Sequence, residues 1–303
     1  MESLSPTLVL WYNRPILIEN VQRILERVTI MATSKSQHTP KYPVLTIDKA
    51  LELMEILAEE GYQEGMGVSE LSTRLDIGKS TVHRILDTLA ARNYLEQDHE
   101  TKKYRLGWRL FEIGNVIPRQ RNLYNFDMGI LQKLCNQYQE TVNLGVRVED
   151  SVVTVSKVSA KSSLIANLQV GSRESLHATA MGKALMSDMT REEVIDILGE
   201  GPYTKYTSFT FTEIDTLMEE LRKIRKQGFS IDDEEFAPGL TCIAMPVRNF
   251  DNEIVAAVSV SGASIRQTYS KIDDIKVGLK EATEKLSYFL GWEGKIPETS
   301  DTK

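Results

Sequence analysis

The clearest structural signal in this chain is the segment SELSTRLDIGKSTVHRILDTLAARNYLEQDHETKKYRLG, residues 69–107. A short helix is predicted from Ser69 to Leu75, and Gly78 in the following turn can adopt a backbone conformation that a β-carbon would disfavour. A second helix is predicted from Lys79, because four apolar residues recur there at helical spacing. These are Val82, Ile85, Leu86 and Leu89. The segment therefore predicts a helix-turn-helix.

A short β-hairpin is predicted directly after the second helix, with strands at Tyr94–Glu96 and Lys103–Leu106. The polar side of that helix carries hydroxyls and cations near its N-terminus, where a recognition helix meets base edges and phosphates. Cations on the hairpin suit phosphates, because they neutralise backbone charge and release counterions. The predicted DNA contacts are Lys79, Ser80, Thr81, His83 and Arg84 on the helix, and Lys102, Lys103 and Arg105 on the hairpin. The competing interpretation is an ordinary helical pair with a solvated polar face.

Length and composition indicate a globular protein of two domains. The chain has 303 residues, of which 41% are apolar and 26% are charged, and its net charge is −7. Any DNA affinity must therefore come from a local cationic patch. Cys135 and Cys242 lie far apart, and the two cysteines and four histidines show no zinc-ligand spacing. We expect no disulfide, no metal or other cofactor, and a cytoplasmic location.

Residues 1–43 do not match the rest of the chain. They contain an apolar patch and a plausible helix at 16–30, but they lack the pattern of a secretory signal. We predict a disordered or extension segment, with an amphipathic arm that packs on a partner as the alternative. No sequence run reaches the roughly 18 apolar residues that a bilayer span needs, so no membrane contact is expected.

Hydrophobic periodicity divides the remaining chain into domains. A supporting helix with Ile47, Leu51 and Leu57 on one face precedes the helix-turn-helix. An apolar stripe from Leu106 to Ile117 predicts a linking helix after the hairpin. The predicted boundaries are a winged helix-turn-helix at 44–106, a linking helix at 107–122, a second domain at 123–292 and a flexible tail at 293–303.

The second domain combines strand and helix patterns. Strands are predicted within 142–158 and at Thr241–Arg248 and Ile254–Ser261, and helices at 190–198, 213–227 and 270–290. Thr190 and Thr212 each lie three residues before an acid, which predicts two capping boxes. The last helix is expected to bury Leu290 with its other apolar residues. Strand pairs with interposed helices indicate an α+β fold.

Three segments resemble the IclR family of bacterial regulators. They are KSTVHRIL at 79–86, LHATAMGKA at 176–184, and DDEEFAPGLTCIAMPV at 232–247, which is followed by SVSG at 259–262. The likeness covers about residues 44–292. It implies an N-terminal winged helix-turn-helix, a linking helix and a C-terminal effector-binding domain similar to GAF or PAS sensors. It also implies dimers, often paired into tetramers, that bind palindromic operator DNA.

The resemblance further implies a ligand pocket in the second domain. Its residues would be Leu164, Ala166, Ala180, Met181, Asp232, Glu234, Leu240, Cys242, Ser259 and Ser261. Strand alternation agrees, because it places Ser259 and Ser261 on one face, where their hydroxyls can bind a carboxylate or a hydroxyl. A helix beginning near His177 would add backbone N–H groups that suit an anion. The alternatives are serines on an exposed edge strand, an acidic run at 232–235 that is solvated or salt-bridged, and a Cys242 that only fills the core.

Cys242, His177 and Asp232 also permit an enzyme interpretation, as nucleophile, base and orienting acid. Spacing does not show that they meet, and a helix-turn-helix would have no role in a hydrolase. We therefore expect no catalytic residues and a DNA-binding regulator of metabolic genes, most simply a repressor, that senses a small organic acid. Its expected partners are double-stranded operator DNA, the acid and further copies of itself. The alternative is a small-molecule-binding protein whose helical head binds another protein.

Overall fold

The computed structural model describes residues 41–59, 64–114, 116, 128–160, 169–266 and 269–294. These residues form two compact units, an N-terminal one within 41–116 and a C-terminal one within 128–294. Several predictions lie outside the described residues. They are the segment 1–40, the linking helix beyond Val116, Leu164, Ala166 and the tail from residue 295 onward.

The N-terminal unit is a winged helix-turn-helix. Its elements are α1 (Leu45–Glu59), α2 (Val68–Leu75), α3 (Lys79–Ala90), β1 (Leu95–Gln97), β2 (Tyr104–Leu106) and α4 (Trp108–Gly114). Leu53, Leu71 and Leu86, one from each of the first three helices, are fully buried in one core. The two strands pair antiparallel, and Met66 adds a bridge to Tyr104 at the edge of the hairpin. The predicted helix-turn-helix and hairpin are confirmed.

The turn between α2 and α3 differs from its prediction. Asp76 has the left-handed conformation, with a φ of 52°, whereas Gly78 has an ordinary φ of −62°. A short polar side chain such as that of Asp tolerates this conformation. In addition, α2 begins at Val68, one residue before Ser69. The position of the turn was predicted correctly, but its left-handed conformation belongs to Asp76 and not to Gly78.

The apolar face of α1 also differs from its prediction. Leu53 and Leu57 are buried, whereas Ile47 and Leu51 are 59% and 51% exposed. Leu106 belongs to β2 and is not part of the linking helix, which starts at Trp108 as α4. In both places apolar residues recur at helical spacing, but some of them face away from the core of this unit.

The C-terminal unit is an α+β domain built on one sheet. Its elements are α5 (Met128–Tyr138), β3 (Thr141–Val148), β4 (Ser151–Val158), β5 (Arg173–Ser175), α6 (Ala180–Met186), α7 (Arg191–Leu198), α8 (Ile214–Gln227), β6 (Ser230–Asp233), β7 (Leu240–Arg248), β8 (Ile254–Ala263) and α9 (Tyr269–Phe289). The six strands lie in the order β5-β4-β3-β8-β7-β6, and all neighbours are antiparallel. The predicted α+β fold is confirmed.

Both faces of the central strands are covered. Val258 and Val260 are fully buried on one face of β8, and Ser259 and Ser261 alternate with them on the other. Helix α6 packs on the serine face with Ala244 and its neighbours, and α9 also packs along β7 and β8. The interpretation of the two serines as exposed residues of an edge strand is therefore wrong. Strand β8 is central, and both serines are buried.

Three local predictions in this unit are corrected by the structure. The Thr190 capping box is confirmed, but α8 is preceded by Glu213 without a side-chain cap, while the Thr212 carbonyl accepts a hydrogen bond from the Tyr203 amide at 2.7 Å. Helix α6 begins at Ala180, not near His177. Leu290 is only half-buried, because it follows the last turn of α9.

Candidate DNA interface and ligand pocket

Helix α3 separates its apolar and polar residues onto opposite sides. Val82, Ile85 and Leu86 are buried against the core of the N-terminal unit. The predicted DNA contacts on the helix are all exposed to solvent, and they cluster in its first half. They are Lys79, Ser80, Thr81, His83 and Arg84. This arrangement leaves hydroxyl and cationic groups free to reach a base edge or a phosphate.

The tip of the hairpin is held by Asp98. Its carboxylate accepts hydrogen bonds from the Glu100 amide at 3.0 Å and from the amide and hydroxyl of Thr101 at 2.7 and 2.9 Å. The hydrogen bonds from Thr101 hold the pKa of Asp98 below its usual value. Lys102 follows in a left-handed conformation, with a φ of 58°. The tip is thus a defined turn that presents an exposed lysine.

The other two cations of the hairpin have partners within the N-terminal unit. Lys103 Nζ lies 3.3 Å from a Glu64 carboxylate oxygen, and Arg105 donates to Glu96 at 3.2 Å. These pairs are largely exposed, and such pairs contribute little to stability. The two cations can therefore exchange a carboxylate for a phosphate at small cost.

The C-terminal unit contains a narrow cleft between the sheet and α6. Its empty space amounts to about 280 Å³ only when open solvent is counted, and its cavity volume is about 10 Å³. Seven of the predicted ligand-binding residues line it, namely Ala180, Met181, Asp232, Leu240, Cys242, Ser259 and Ser261. Four further residues line the cleft but were not predicted from the sequence, namely Asn143, Glu174, Thr179 and Phe236. The cleft is therefore more polar than its sequence motifs suggested.

Asn143 lies at the centre of the polar wall. It is 2% exposed, and its Nδ2 lies 3.4 Å from the hydroxyl oxygens of both Ser259 and Ser261. The register explains this, because Asn143 on β3 is directly opposite Ser259 on β8. Its Oδ1 is buried and has no hydrogen-bond partner among the described residues. A buried polar atom without a partner is costly, so this oxygen marks a place where a ligand can donate.

Two carboxyl groups flank the polar wall. Burial raises the pKa of Asp232 to about 8, with a contribution from the nearby Glu235 charge, and burial raises the pKa of Glu174 to about 7. Asp232 accepts hydrogen bonds from the amides of Glu235 and Phe236 at 2.8 and 3.2 Å. At neutral pH Asp232 is therefore largely protonated and can donate a hydrogen bond into the cleft.

A buried ion pair lies next to Asp232. Lys183 of α6 is fully buried, and its ammonium group donates to the Glu235 carboxylate and to the Ile231 carbonyl. The acidic run at 232–235 is thus divided between roles. Asp232 faces the cleft, and Glu235 neutralises Lys183.

Glu234 does not line the cleft, although it was predicted to belong to the ligand pocket. Strand β6 ends at Asp233, and Glu234 has a left-handed φ of 61°, which breaks the alternation that would have placed it beside Asp232. Its carboxylate instead accepts a hydrogen bond from the Gly239 amide at 3.0 Å, and it does not belong to the described lining of the cleft.

The start of α6 is also less open than predicted. The Thr179 hydroxyl accepts a hydrogen bond from the Gly182 amide at 3.1 Å and donates to the Ser175 carbonyl at 2.7 Å. Part of the first turn is therefore already capped, and the polar wall of the sheet supplies most of the cleft's hydrogen-bonding groups.

The Cys–His hydrogen bond that the enzyme interpretation requires is not formed. His177 Nε2 lies 2.9 Å from the Thr204 carbonyl and must donate to it, so Nδ1 accepts from the Ser175 hydroxyl at 2.8 Å. Both ring nitrogens are thus engaged away from Cys242. Burial raises the pKa of the Cys242 thiol well above its usual value, which opposes a thiolate nucleophile.

The described residues contain neither a membrane-spanning helix nor a metal-binding cluster. None of the described helices combines the length and apolar character that a membrane span requires. Within the same residues, no three side chains of His, Cys, Asp or Glu are grouped so as to hold a metal ion.

Comparison with known proteins gives one result for both units. Residues 46–99 match the IclR helix-turn-helix domain, and residues 119–288 match the bacterial transcriptional regulator IclR C-terminal domain. The HTH-type transcriptional regulator BhcR of Paracoccus denitrificans is 32% identical over 81% of this chain and 87% of BhcR. KdgR of Escherichia coli is 32% identical over 82% of this chain and 94% of KdgR.

A solved structure agrees with these matches. The crystal structure of Thermotoga maritima IclR has a TM-score of 0.71 and 27% identity, covering 82% of this chain and 100% of that one. The two sequence models and the relatives span the winged helix-turn-helix and the α+β domain alike. The chain belongs to the IclR family of bacterial transcriptional regulators.

Proposed function

We propose that this regulator is a repressor of metabolic genes that binds operator DNA, and that a small organic acid in the C-terminal cleft controls it. The observation that carries the proposal is the cleft itself, where Asn143, Ser259 and Ser261 form a buried polar wall next to Asp232. Buried polar groups that converge on one cleft are typical of a site that binds a small polar molecule.

The DNA contacts are proposed on α3 and on the hairpin. Ser80 and Arg84 on the exposed side of α3 would read bases, and Lys102, Lys103 and Arg105 would contact phosphates. The remaining exposed residues of the same face, Lys79, Thr81 and His83, would support these contacts. This division follows from chemistry, because a guanidinium can bind a guanine edge in two places and a lysine acts as a point charge.

The acid is proposed from the donors in the cleft. The two serine hydroxyls can donate to a carboxylate, and a protonated Asp232 can do the same. Ala180, Met181, Leu240 and Cys242 supply the apolar part of the wall. The anionic group of the ligand would thus be bound by neutral donors rather than by a cation. Such binding suits a small ligand that must be released again.

The protein is further proposed to act as a dimer or a dimer of dimers. Ile47 and Leu51 of α1 and Trp108 and Phe111 of α4 are all more than half exposed. Exposed apolar groups of this size are uncommon on monomers and favour a protein interface. A second copy of the winged domain is the simplest occupant, because paired recognition helices read palindromic DNA.

A salt-titrated gel shift on the DNA upstream of the protein's own gene tests the proposal. The logarithm of the binding constant should fall linearly with the logarithm of the salt concentration, because phosphate contacts release counterions. A small carboxylate found by thermal-shift screening should then release the DNA. DNA binding that is absent at low salt would instead favour the alternative, in which the helical head binds a protein. A carboxylate that tightens DNA binding would contradict release by the acid, because the acid would then act as a co-repressor.

A further inference from the structure

The winged helix-turn-helix unit is not a basic domain. Residues 41–114 contain ten lysines and arginines against thirteen aspartates and glutamates, which leaves three net negative charges. A protein binds the DNA backbone by placing positive charge against phosphates. DNA binding by this unit therefore depends on the few positive groups that its DNA-facing surface presents without a partner.

Only part of the proposed DNA-binding surface is positively charged without compensation. Two of its five cations, Lys103 and Arg105, are paired with carboxylates at 3.3 and 3.2 Å. The other three are exposed and form no ion pair among the described residues, namely Lys79, Arg84 and Lys102. Each further positive charge on this surface would therefore add a third to the number of unpaired cations.

Two histidines lie on the same surface. His83 is exposed on the first half of α3, one turn after Lys79. His99 is exposed in the tip of the hairpin, where the Asp98 carboxylate holds the turn and Lys102 follows. Neither imidazole has a hydrogen bond or an ion pair with another described residue. Both rings are thus available to a phosphate of bound DNA.

The charge of these rings depends on pH. Histidine is the side chain that changes its charge between about pH 5 and 8. Only the imidazolium form neutralises a phosphate, and it donates hydrogen bonds from both ring nitrogens. Protonation of both rings would raise the number of unpaired positive groups on this surface from three to five.

We propose that His83 and His99 bind DNA phosphates in their protonated form, so that DNA binding takes up protons and strengthens as the pH falls. This inference rests on the proposed DNA contacts of α3 and the hairpin, and it adds His99 to them. The direction follows from linkage. Because the complex holds more protons than the separate protein and DNA, a higher proton concentration favours the complex.

Both rings lie among charged side chains of their own elements. Carboxylates favour the imidazolium form and cations oppose it, so a phosphate acts in the same direction as the carboxylates at both positions. The charged neighbours are Lys79, Arg84 and Asp87 on α3, and Asp98, Glu100 and Lys102 at the hairpin tip.

The C-terminal unit also titrates near neutral pH. Burial raises the pKa of Asp232 to about 8 and the pKa values of Glu235 and Glu174 to about 7. A pH dependence of DNA binding must therefore be assigned to the two histidines by variants of these residues.

Fluorescence anisotropy at fixed ionic strength tests the inference on the full-length protein. The probes are the DNA upstream of the protein's own gene and a duplex of unrelated sequence, each at pH 6 and pH 8. We expect both to bind roughly tenfold tighter at pH 6, with equal contributions from the two histidines. Calorimetry in two buffers with different heats of ionisation should show proton uptake on binding.

Variants then assign the response to the two rings. His83→Gln and His99→Gln should each weaken the pH response, and the double glutamine variant should bind within twofold at the two pH values. The double variant His83→Lys with His99→Lys carries permanent charges, so it should bind at pH 8 about as tightly as the parent at pH 6.

The matched control is His177→Gln in the C-terminal unit. His177 is buried, and its ring nitrogens are engaged by Ser175 and Thr204. This variant should keep the parental pH response. Thermal melting at both pH values establishes that every variant is folded.

The outcomes separate this inference from the proposed function. If DNA affinity differs less than twofold between pH 6 and pH 8, or if the double glutamine variant keeps the response, protonation of these histidines is wrong and DNA binding stands. If neither duplex binds at low salt at either pH, the proposed function and this inference both fall.

Discussion

Arg84 is the side chain on which sequence recognition is expected to depend most. It is exposed on α3, on the side opposite the buried Val82, Ile85 and Leu86. Arg84→Ala should weaken operator binding by about 1–3 kcal/mol, because one bidentate base contact is lost. Binding to an operator fragment, measured by fluorescence anisotropy, checks this.

A conservative variant separates base reading from charge. Arg84→Lys keeps the positive charge but loses the planar fork, so specific binding should fall while binding to random DNA stays nearly constant. Thermal melting should match the parent protein for both variants, since Arg84 is exposed and not part of the buried core. Operator affinity within twofold of the parent for Arg84→Ala would remove this residue from the interface.

Asp232 should make stability depend on pH. Its pKa is raised from the ordinary 3.8 to about 8, so between these values only the folded state keeps the proton. The free energy of unfolding should then fall as pH rises, by at most about 1.4 kcal/mol per pH unit from this group. Urea denaturation at pH 5, 6, 7 and 8 measures the slope.

Asp232→Asn tests the assignment. The amide oxygen can still accept from the Glu235 and Phe236 amides, so the turn is kept while the titration is lost. The variant should show a flatter pH profile and higher stability than the parent at pH 8. Asp233→Asn, at the exposed neighbouring position, should leave the profile unchanged. An unaltered slope in Asp232→Asn would show that this carboxyl is ionised throughout.

The β1–β2 hairpin should contribute affinity without sequence preference. A triple variant with Ala at Lys102, Lys103 and Arg105 should bind all DNA sequences more weakly, and the salt slope should flatten by about 0.9 per lost phosphate contact. Lys103 and Arg105 are paired with Glu64 and Glu96, so Glu64→Gln with Glu96→Gln should strengthen DNA binding modestly. A triple variant with the parental slope would place the hairpin away from DNA.

The contact between β3 and α6 should tolerate no added side chain. A β-carbon at Gly145 would lie 2.7 Å from Val152 Cγ1 and 2.9 Å from Met181 Sδ. Gly145→Ala should therefore destabilise the protein by about 1–3 kcal/mol, as overpacking does, and should displace Met181 from the cleft wall. Thermal melting and ligand affinity report the two effects. Gly114→Ala, where a β-carbon meets nothing, is the control.

The elements were predictable wherever a local pattern decides them. The Thr190 capping box, the β7–β8 hairpin and α9 follow from periodicity and end signals in the sequence, and the structure confirms them. The turn at Asp76 and the exposed face of α1 were missed, because packing and backbone context decide them and the sequence shows only composition.

The residues of the cleft were predictable only where a local pattern in the sequence identifies them. Ser259, Ser261 and Asp232 follow from the family resemblance, and strand alternation agrees for the two serines. Asn143 alternates with valine and leucine on β3, and that alternation is typical of a strand with one solvated face. Because the sheet is buried on both faces, the same pattern instead places Asn143 inside the cleft. Glu174 carries no local signal, since it lies on the edge strand β5 and reaches the cleft only through the tertiary packing of the sheet.

At the scale of the whole molecule, mutations in the C-terminal unit should remove the response to the acid without weakening DNA binding. Ser261→Ala combined with Asp232→Ala should keep operator affinity, because both residues belong to the C-terminal unit, and should abolish release of DNA by the acid. Gel shifts with increasing acid measure this. A double variant that still releases DNA at the parental acid concentration would remove both residues from the sensor. The acid can control DNA binding only if its affinities for the DNA-bound and the free protein differ. An acid that binds both forms equally would not shift the equilibrium between them.

The position of Glu174 and Asp232 on edge strands has a consequence for how this sensor can change its specificity during evolution. Residues of β3, β7 and β8 have neighbours on both sides and on both faces, so a substitution there disturbs many contacts at once. Each edge strand pairs on one side only. Asp232 also holds the Glu235 and Phe236 amides, so new ligand preferences should arise first at residue 174, which is then the first position to randomise when the protein is engineered as a biosensor for a different ligand.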